Sequence, residues 1–147
     1  MIAERLLLAR VGAETFAFPI AAVLEAAEAP AVAPLALLPA GVAGQCVHRD
    51  RLLPVIDAGT LLGVPRIDPR GVLLLIDVDG DRAALWVDDV LDMVMLEPHQ
   101  RRPVPAGSGA AGEMLSGVAE VGGGIVALVA MDDLRATVRA RLMAEVA

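Results

Sequence analysis

The sequence has no lysine and no tyrosine, one cysteine, and only three aromatic residues, Phe16, Phe18 and Trp86. Each shortage excludes a chemistry. Without lysine there is no Schiff-base amine and no P-loop ammonium to reach a phosphate. Three rings are too few to stack single-stranded nucleic acid. Cys46 cannot form an internal disulfide, and a free thiol is compatible with the cytosol. The twelve basic residues, all arginine, are outnumbered by nineteen acids, and a net charge of −7 argues against nucleic acid or an anionic membrane as partner.

What is present is apolar. The 147 residues are 56% hydrophobic with a mean hydropathy of +0.64, which excludes disorder. A chain of this size buries about 70% of its unfolded surface and needs no staple. We expect one domain over 1–147. The opening MIAERLLLARVG carries Glu4, Arg5 and Arg10 and lacks the layout of a signal peptide. Residues 29–47 are uncharged and long enough to span a bilayer, but Pro30, Pro34, Pro39, Gly41 and Gly44 would break a helix repeatedly. A loop followed by a strand is the expectation there.

Short apolar runs bounded by turn residues predict many strands. LLLARV (6–11) and ETFAF (14–18) pair across Gly12-Ala13. Pro19 suits the first turn of a short helix in which Ile20, Val23 and Leu24 share a face. VAGQCVH (42–48) and RLLPVID (51–57) flank a turn at Arg49-Asp50, with Pro54 pointing to an edge or bulged strand. GVLLLIDV (71–78) and RAALWV (82–87) flank Asp79-Gly80, a strong hairpin signal. Residues 89–96 read as another strand, and 114–121 and 125–131 as a second hairpin across three glycines. Asp132 and Asp133 suit a helix N-terminus, and Leu134, Val138 and Leu142 recur at spacing four, so 132–145 is the one long helix.

The two halves echo each other. From Gly44, Leu52, Leu53, Val55, Ile56 and Leu61 stand at +8, +9, +11, +12 and +17; from Gly117, Ile125, Val126, Leu128, Val129 and Leu134 stand at the same offsets. Two strand–turn–strand–helix units, hence two small barrels, would produce this.

No constellation supplies a nucleophile, base and oxyanion donors together. Asp77-Val78-Asp79-Gly80-Asp81 opens like a calcium loop, but Arg82 and Asp88 stand where a loop glycine and the bidentate glutamate are needed. Cys46 and His48 would face the same side of a strand; two ligands do not make a zinc site, and Cys46 reads as a small core residue. His99 follows Glu97-Pro98 in a turn and is expected to face solvent. Ser108 in PAGSGAAGE is not on a nucleophile elbow. Asp88, Asp89 and Asp92 read as a solvated turn. A binding module is the expected class.

Four segments resemble the family of CheW, the coupling protein of bacterial chemotaxis: VGAETFAFPIAAVLEA (11–26), GQCVHRDRLLPVID (44–57), VLLLIDVDGDRAALWVDDVLDMVML (72–96) and LSGVAEVGGGIVALVAMDDL (115–134). The resemblance implies a mainly β fold of two five-stranded SH3-like barrels with a C-terminal helix, dividing near residues 68–71. It implies a cytoplasmic adaptor with no catalysis and no cofactor, joining chemoreceptor tips to the regulatory domain of a CheA-type histidine kinase at membrane-associated arrays. Ile20, Val23, Glu25, Arg49, Val72 and Val94 match family positions at or near the partner-binding groove. The family's Asn-Leu-Arg-Gly turn is Val47-His48-Arg49-Asp50 here, and Ala58-Gly59 replaces the Leu-Arg that usually follows its aspartate. These departures leave open a divergent CheW-like module with another partner, or a small metal or enzyme site at Cys46 and His48.

Overall fold

A computed structural model describes residues 2–34, 41–107 and 110–143, without the side chains of 110 and 111. The expected hairpins form: β1 (Glu4–Val11) with β2 (Glu14–Pro19), β4 (Val42–His48) with β5 (Arg51–Asp57), β6 (Val72–Val78) with β7 (Asp81–Val87), and β10 (Leu115–Val121) with β11 (Gly124–Val129). The turns use positive φ: Asp79 and Gly80 in one, both residues that tolerate it, and Arg49 and Asp50 in another, where only Asp50 is of a type that does so readily. The remaining strands are β3 (Glu25–Glu28), β8 (Asp89–Leu96) and the two-residue β9 (Arg101–Arg102). Helix α2 (Met131–Met143) is the long helix; the expected residues 144 and 145 lie outside the described chain. Ser108 lies outside it as well.

Several elements depart from expectation. The segment after Pro19 is a single 3-10 turn, Ile20–Ala22, and Leu24 is exposed rather than sharing a face with Ile20 and Val23. Strand β3 was not foreseen, whereas the short helix α1 (Ala58–Leu62) closes the first strand–turn–strand–helix unit that the echo implied. Strand β5 is interior, not an edge. Pro54 is tolerated because β7 pairs only with Val55–Asp57, so the proline stands where β5 has one neighbour.

The strands form a six-stranded sheet, β8-β1-β2-β11-β10-β9, and a five-stranded sheet, β3-β6-β7-β5-β4. The first exceeds the expected five by Arg101–Arg102. The echo is structural. Gly44 pairs with Val55 and Gly117 with Leu128, each just after a register shift. Val55 then runs parallel to Ala84, and Leu128 to Ala17. Even the helix entries match: Asp57 N–H donates to Gly41 and Ala130 N–H to Met114. The molecule is thus two repeats of hairpin, strand, hairpin and helix that have exchanged their first hairpins. The expected division near 68–71 falls between the repeats but not between the sheets, because β6–β7 completes the sheet of β3, β4 and β5.

Packing follows the exchange. One large cluster joins both sheets and both helices, with Phe16, Phe18, Ile56, Leu74, Leu85 and Leu134 at its centre. Two smaller clusters belong to one sheet each: Leu6, Leu8, Val126 and Leu128 in the first, and Cys46, Leu53, Val55 and Leu73 in the second.

One carboxylate ties the crossing point. Asp88 is buried, not the solvated turn residue its sequence neighbours suggest. It sits between β7 and β8, where the chain passes from one sheet to the other. It accepts the N–H groups of Gly12, Ile67 and Asp68, and its own N–H donates to Arg10. Arg66 lies 4.0 Å from it, 3.3 Å from Asp57 and 3.6 Å over the Trp86 ring. Burial pushes the Asp88 carboxyl up, but the N–H donors and Arg66 outweigh burial and hold it below the usual carboxylate range.

Asp88→Ala should cost about 3 to 5 kcal/mol in urea unfolding, because three donors and Arg66 lose their partner. The sign with pH is fixed by the lowered value. The charge-dependent gap between wild type and Asp88→Asn should be full at pH 7 and shrink as pH falls below about 4. A gap that stays constant to pH 2 would show that the charge contributes nothing.

A second test concerns the matched glycines. A Cβ at Gly44 would stand 2.2 Å from the Ala33 carbonyl oxygen, and one at Gly117 would stand 2.6 Å from that of Arg102. Each glycine lets a neighbouring backbone approach. Gly117→Ala should lower stability by about 1 to 3 kcal/mol by thermal melting.

Candidate functional site

Strands β3 and β4 are the first and last of the second sheet, so contacts between them close it into a barrel. The closure has a backbone part and an ionic part. Five residues beyond the end of β3, Ala33 exchanges N–H···O bonds of 2.9 and 3.1 Å with Gln45 of β4. Glu25, the first residue of β3, takes the Arg49 guanidinium at 2.8 Å on Oε1 and His48 Nε2 at 3.3 Å on Oε2. The type of turn explains how one glutamate reaches both: Arg49 adopts φ 49°, which swings it off the strand direction of His48. Arg49 is largely exposed, so this clasp is reachable from solvent.

The apolar candidates lie around β1. Ile20 and Val23 are half-buried against the central cluster that contains Leu7. On the other flank, β8 pairs with β1 so that Met93 stands opposite Leu7 and Met95 opposite Arg5. Paired residues share a face, and Met93 and Met95 are 61% and 56% exposed. Pro19 pairs with Leu6, so Ile20 follows on beside Arg5. Ile20 and Met95 therefore flank Arg5 at about two strand spacings, roughly 10 Å. Leu91, exposed at the register shift in the β1–β8 pairing, extends the stripe.

Of the six sequence candidates, the structure joins Glu25 directly to Arg49 and sets Ile20 and Val23 against one cluster. Val72 borders the same cluster but stands opposite Glu28, three register steps along β6 from Leu75, the partner of Glu25. Val94 points to the other side of β8, against the cluster confined to the first sheet. Sequence reasoning missed His48 as a partner of Glu25 and missed the Leu91, Met93, Met95 stripe. The available signal was that 89–96 is apolar on both faces of a strand, more than one packed layer covers.

The remaining candidates reduce to structure. Cys46 is buried among Leu53, Val55 and Leu73, and burial pushes its thiol up, away from the thiolate a nucleophile requires. A 940 Å³ groove beside the clasp, lined by Leu24, Arg51, Leu52, Asp79, Arg139 and Leu142 among others, includes neither Cys46 nor His48. Among the described residues no three metal-ligating side chains come together. Asp79 closes the β6–β7 turn and pairs with Arg139 at 2.8 Å rather than forming a cation loop. His99 is exposed in a 3-10 turn, as expected.

A family model described as CheW-like domain matches residues 5–138, which takes in both sheets and most of α2. The chain belongs to the CheW-like domain family. It is 34% identical over 140 residues to Protein FrzA of Myxococcus xanthus, covering 92% of this chain and 87% of that protein. Its fold matches the scaffolding protein TtCheW of Thermoanaerobacter tengcongensis with a TM-score of 0.76 at 17% identity, covering 88% of this chain and 85% of that one. Among the described residues no helix is long and apolar enough to cross a membrane.

Arg49→Glu should leave the barrel folded. Arg49 is exposed, and an exposed ion pair contributes at most about 1 kcal/mol. A thermal melt unchanged within a few degrees is expected; loss of the cooperative transition would make Arg49 a structural residue.

Proposed function

We propose that this CheW-like protein is a non-enzymatic cytoplasmic adaptor that couples chemoreceptor tips to the regulatory domain of a CheA-type histidine kinase at membrane-associated arrays. The family match across residues 5–138 carries the reading. It requires no cofactor and no nucleic acid. Receptor tips present antiparallel helices, and a helix with apolar residues three and four apart fits a smooth apolar face. Ile20 and Val23 are the anchors, with the β8 stripe beside them. Glu25 and Arg49 form the charged rim that fixes orientation. Val72 and Val94, half-buried at the margins, shape the flanks. The kinase domain docks on a separate surface, so both partners are held at once.

A second reading is favoured by one contact. His48 occupies half of Glu25, so the clasp differs from one built by arginine alone. This supports a divergent member whose preferred receptor or kinase differs from that of a motility array. Reconstitution separates the two: the protein either restores receptor control to a kinase or binds without restoring it.

The binding test uses a receptor cytoplasmic fragment and a kinase regulatory domain from the source cell, in parallel titrations. Ile20→Asp should weaken receptor binding about tenfold or more, as expected for an anchor, and leave kinase binding nearly unchanged. Equal loss on both sides would point to a global defect. Wild-type protein that binds neither partner would defeat the proposal.

A further inference from the structure

The β8 stripe carries two thioethers where a docking face needs apolar surface. Met93 and Met95 are more than half exposed, sit two residues apart on one face, and are joined by Leu91. Two other methionines provide internal comparisons: Met131 is buried in the central cluster, and Met143 is exposed on α2 at a different place in the fold. We propose that Met93 and Met95 are a peroxide-sensitive modification site whose oxidation weakens docking on the β8 face. The proposal rests on the adaptor reading above and concerns the receptor-helix side of it.

The chemistry balances simply. The methionine sulfur attacks one peroxide oxygen, the O–O bond breaks, an S=O bond forms and water leaves. Sulfur loses two electrons, which the peroxide gains. A dithiol reductant can reverse the step, leaving a disulfide and water. The sulfoxide is polar, so a face that excluded water becomes hydrated. Reaction requires access of peroxide to sulfur, which Met93 and Met95 allow and Met131 does not. The edge position matters too: β8 has β1 on one side only, so a larger polar group is accommodated without unfolding the sheet.

The test treats the full-length protein with hydrogen peroxide, locates sulfoxides by peptide mass spectrometry, and titrates it with the receptor cytoplasmic fragment. Met93 and Met95 should oxidise well before Met131, and oxidised protein should bind about tenfold more weakly, equivalent to about 1.4 kcal/mol. Met93→Leu/Met95→Leu keeps the volume and apolarity of the face. Whatever affinity this variant shows before peroxide, it should keep that affinity after it, although Met143 is still oxidised. Resistance of Met93 and Met95 to peroxide, undiminished binding of the oxidised wild type, or equal loss in the leucine variant would each overturn the inference. Failure of unoxidised wild type to bind the fragment would instead remove the adaptor reading and this inference with it. Circular dichroism of the oxidised protein must remain native; unfolding on oxidation would also overturn it.

Discussion

The buried carboxylate of Asp88 is the interaction on which the architecture depends. It stands where the chain leaves one sheet for the other, and it gathers the β1–β2 turn through Gly12 and the segment 63–71, which links the two repeats, through Ile67 and Asp68. Isolated in an apolar interior, a carboxylate is strongly unfavourable. Here three N–H donors and a guanidinium compensate. Arg66 is fixed in turn by the Trp86 ring beneath it, the Asp68 carbonyl and Asp57. The linking segment 63–71 carries few large apolar side chains, so this polar network, rather than hydrophobic burial, determines its path over the body.

That path is required because the repeats exchange hairpins. Strands β6 and β7 occupy the middle of the second sheet, and β1 and β2 the middle of the first. Neither repeat can complete a sheet alone: removing the exchanged hairpin leaves strands without their central partners. The two barrels are therefore one folding unit, joined by a common cluster that takes residues from both sheets and both helices. Such long-range pairing raises contact order and slows folding. It also yields a body whose two faces keep a fixed mutual orientation, which suits a scaffold.

Much of the fold was legible because turn chemistry is local. Asp79-Gly80 and the Gly122–Gly124 run declare their hairpins, and the offsets from Gly44 and Gly117 declare the repeat. The misses have physical causes. Strand β3 reads Glu-Ala-Ala-Glu, a sequence with little strand propensity of its own; its ladder with β6, between Glu25–Leu75 and Glu28–Val72, makes it a strand. Pro54 suggested an edge because a sequence cannot reveal that the neighbouring ladder starts one residue later. Asp88 read as solvated because its partners, Gly12 and Ile67, are far away along the chain. Family resemblance supplied Glu25 and Arg49 as candidates, yet the contact of Glu25 with both His48 and Arg49 depends on the positive φ of the turn, which Val47-His48-Arg49-Asp50 does not announce.

The most informative difference is between the two equivalent ends. Glu25 lies opposite Leu75, and Asp92 lies opposite Leu8, its counterpart in the other repeat. Both are acids at matching places on matching strands. At the first, the following hairpin brings His48 and Arg49 to form a clasp. At the second, the corresponding turn is built of glycines, and among the described residues Asp92 accepts only the N–H of Met93. The first sheet instead joins Arg101 to Glu4, at 3.2 Å. Yet the exposed apolar positions are retained: Leu52 and Ile125, at the same offset in each repeat, are 63% and 65% exposed. A duplicated body with identical ends would bind the same partner twice. Replacing a cationic turn by glycines while keeping the apolar knob removes both the charge and the side chains that carry it, and charge discriminates between partners of similar form.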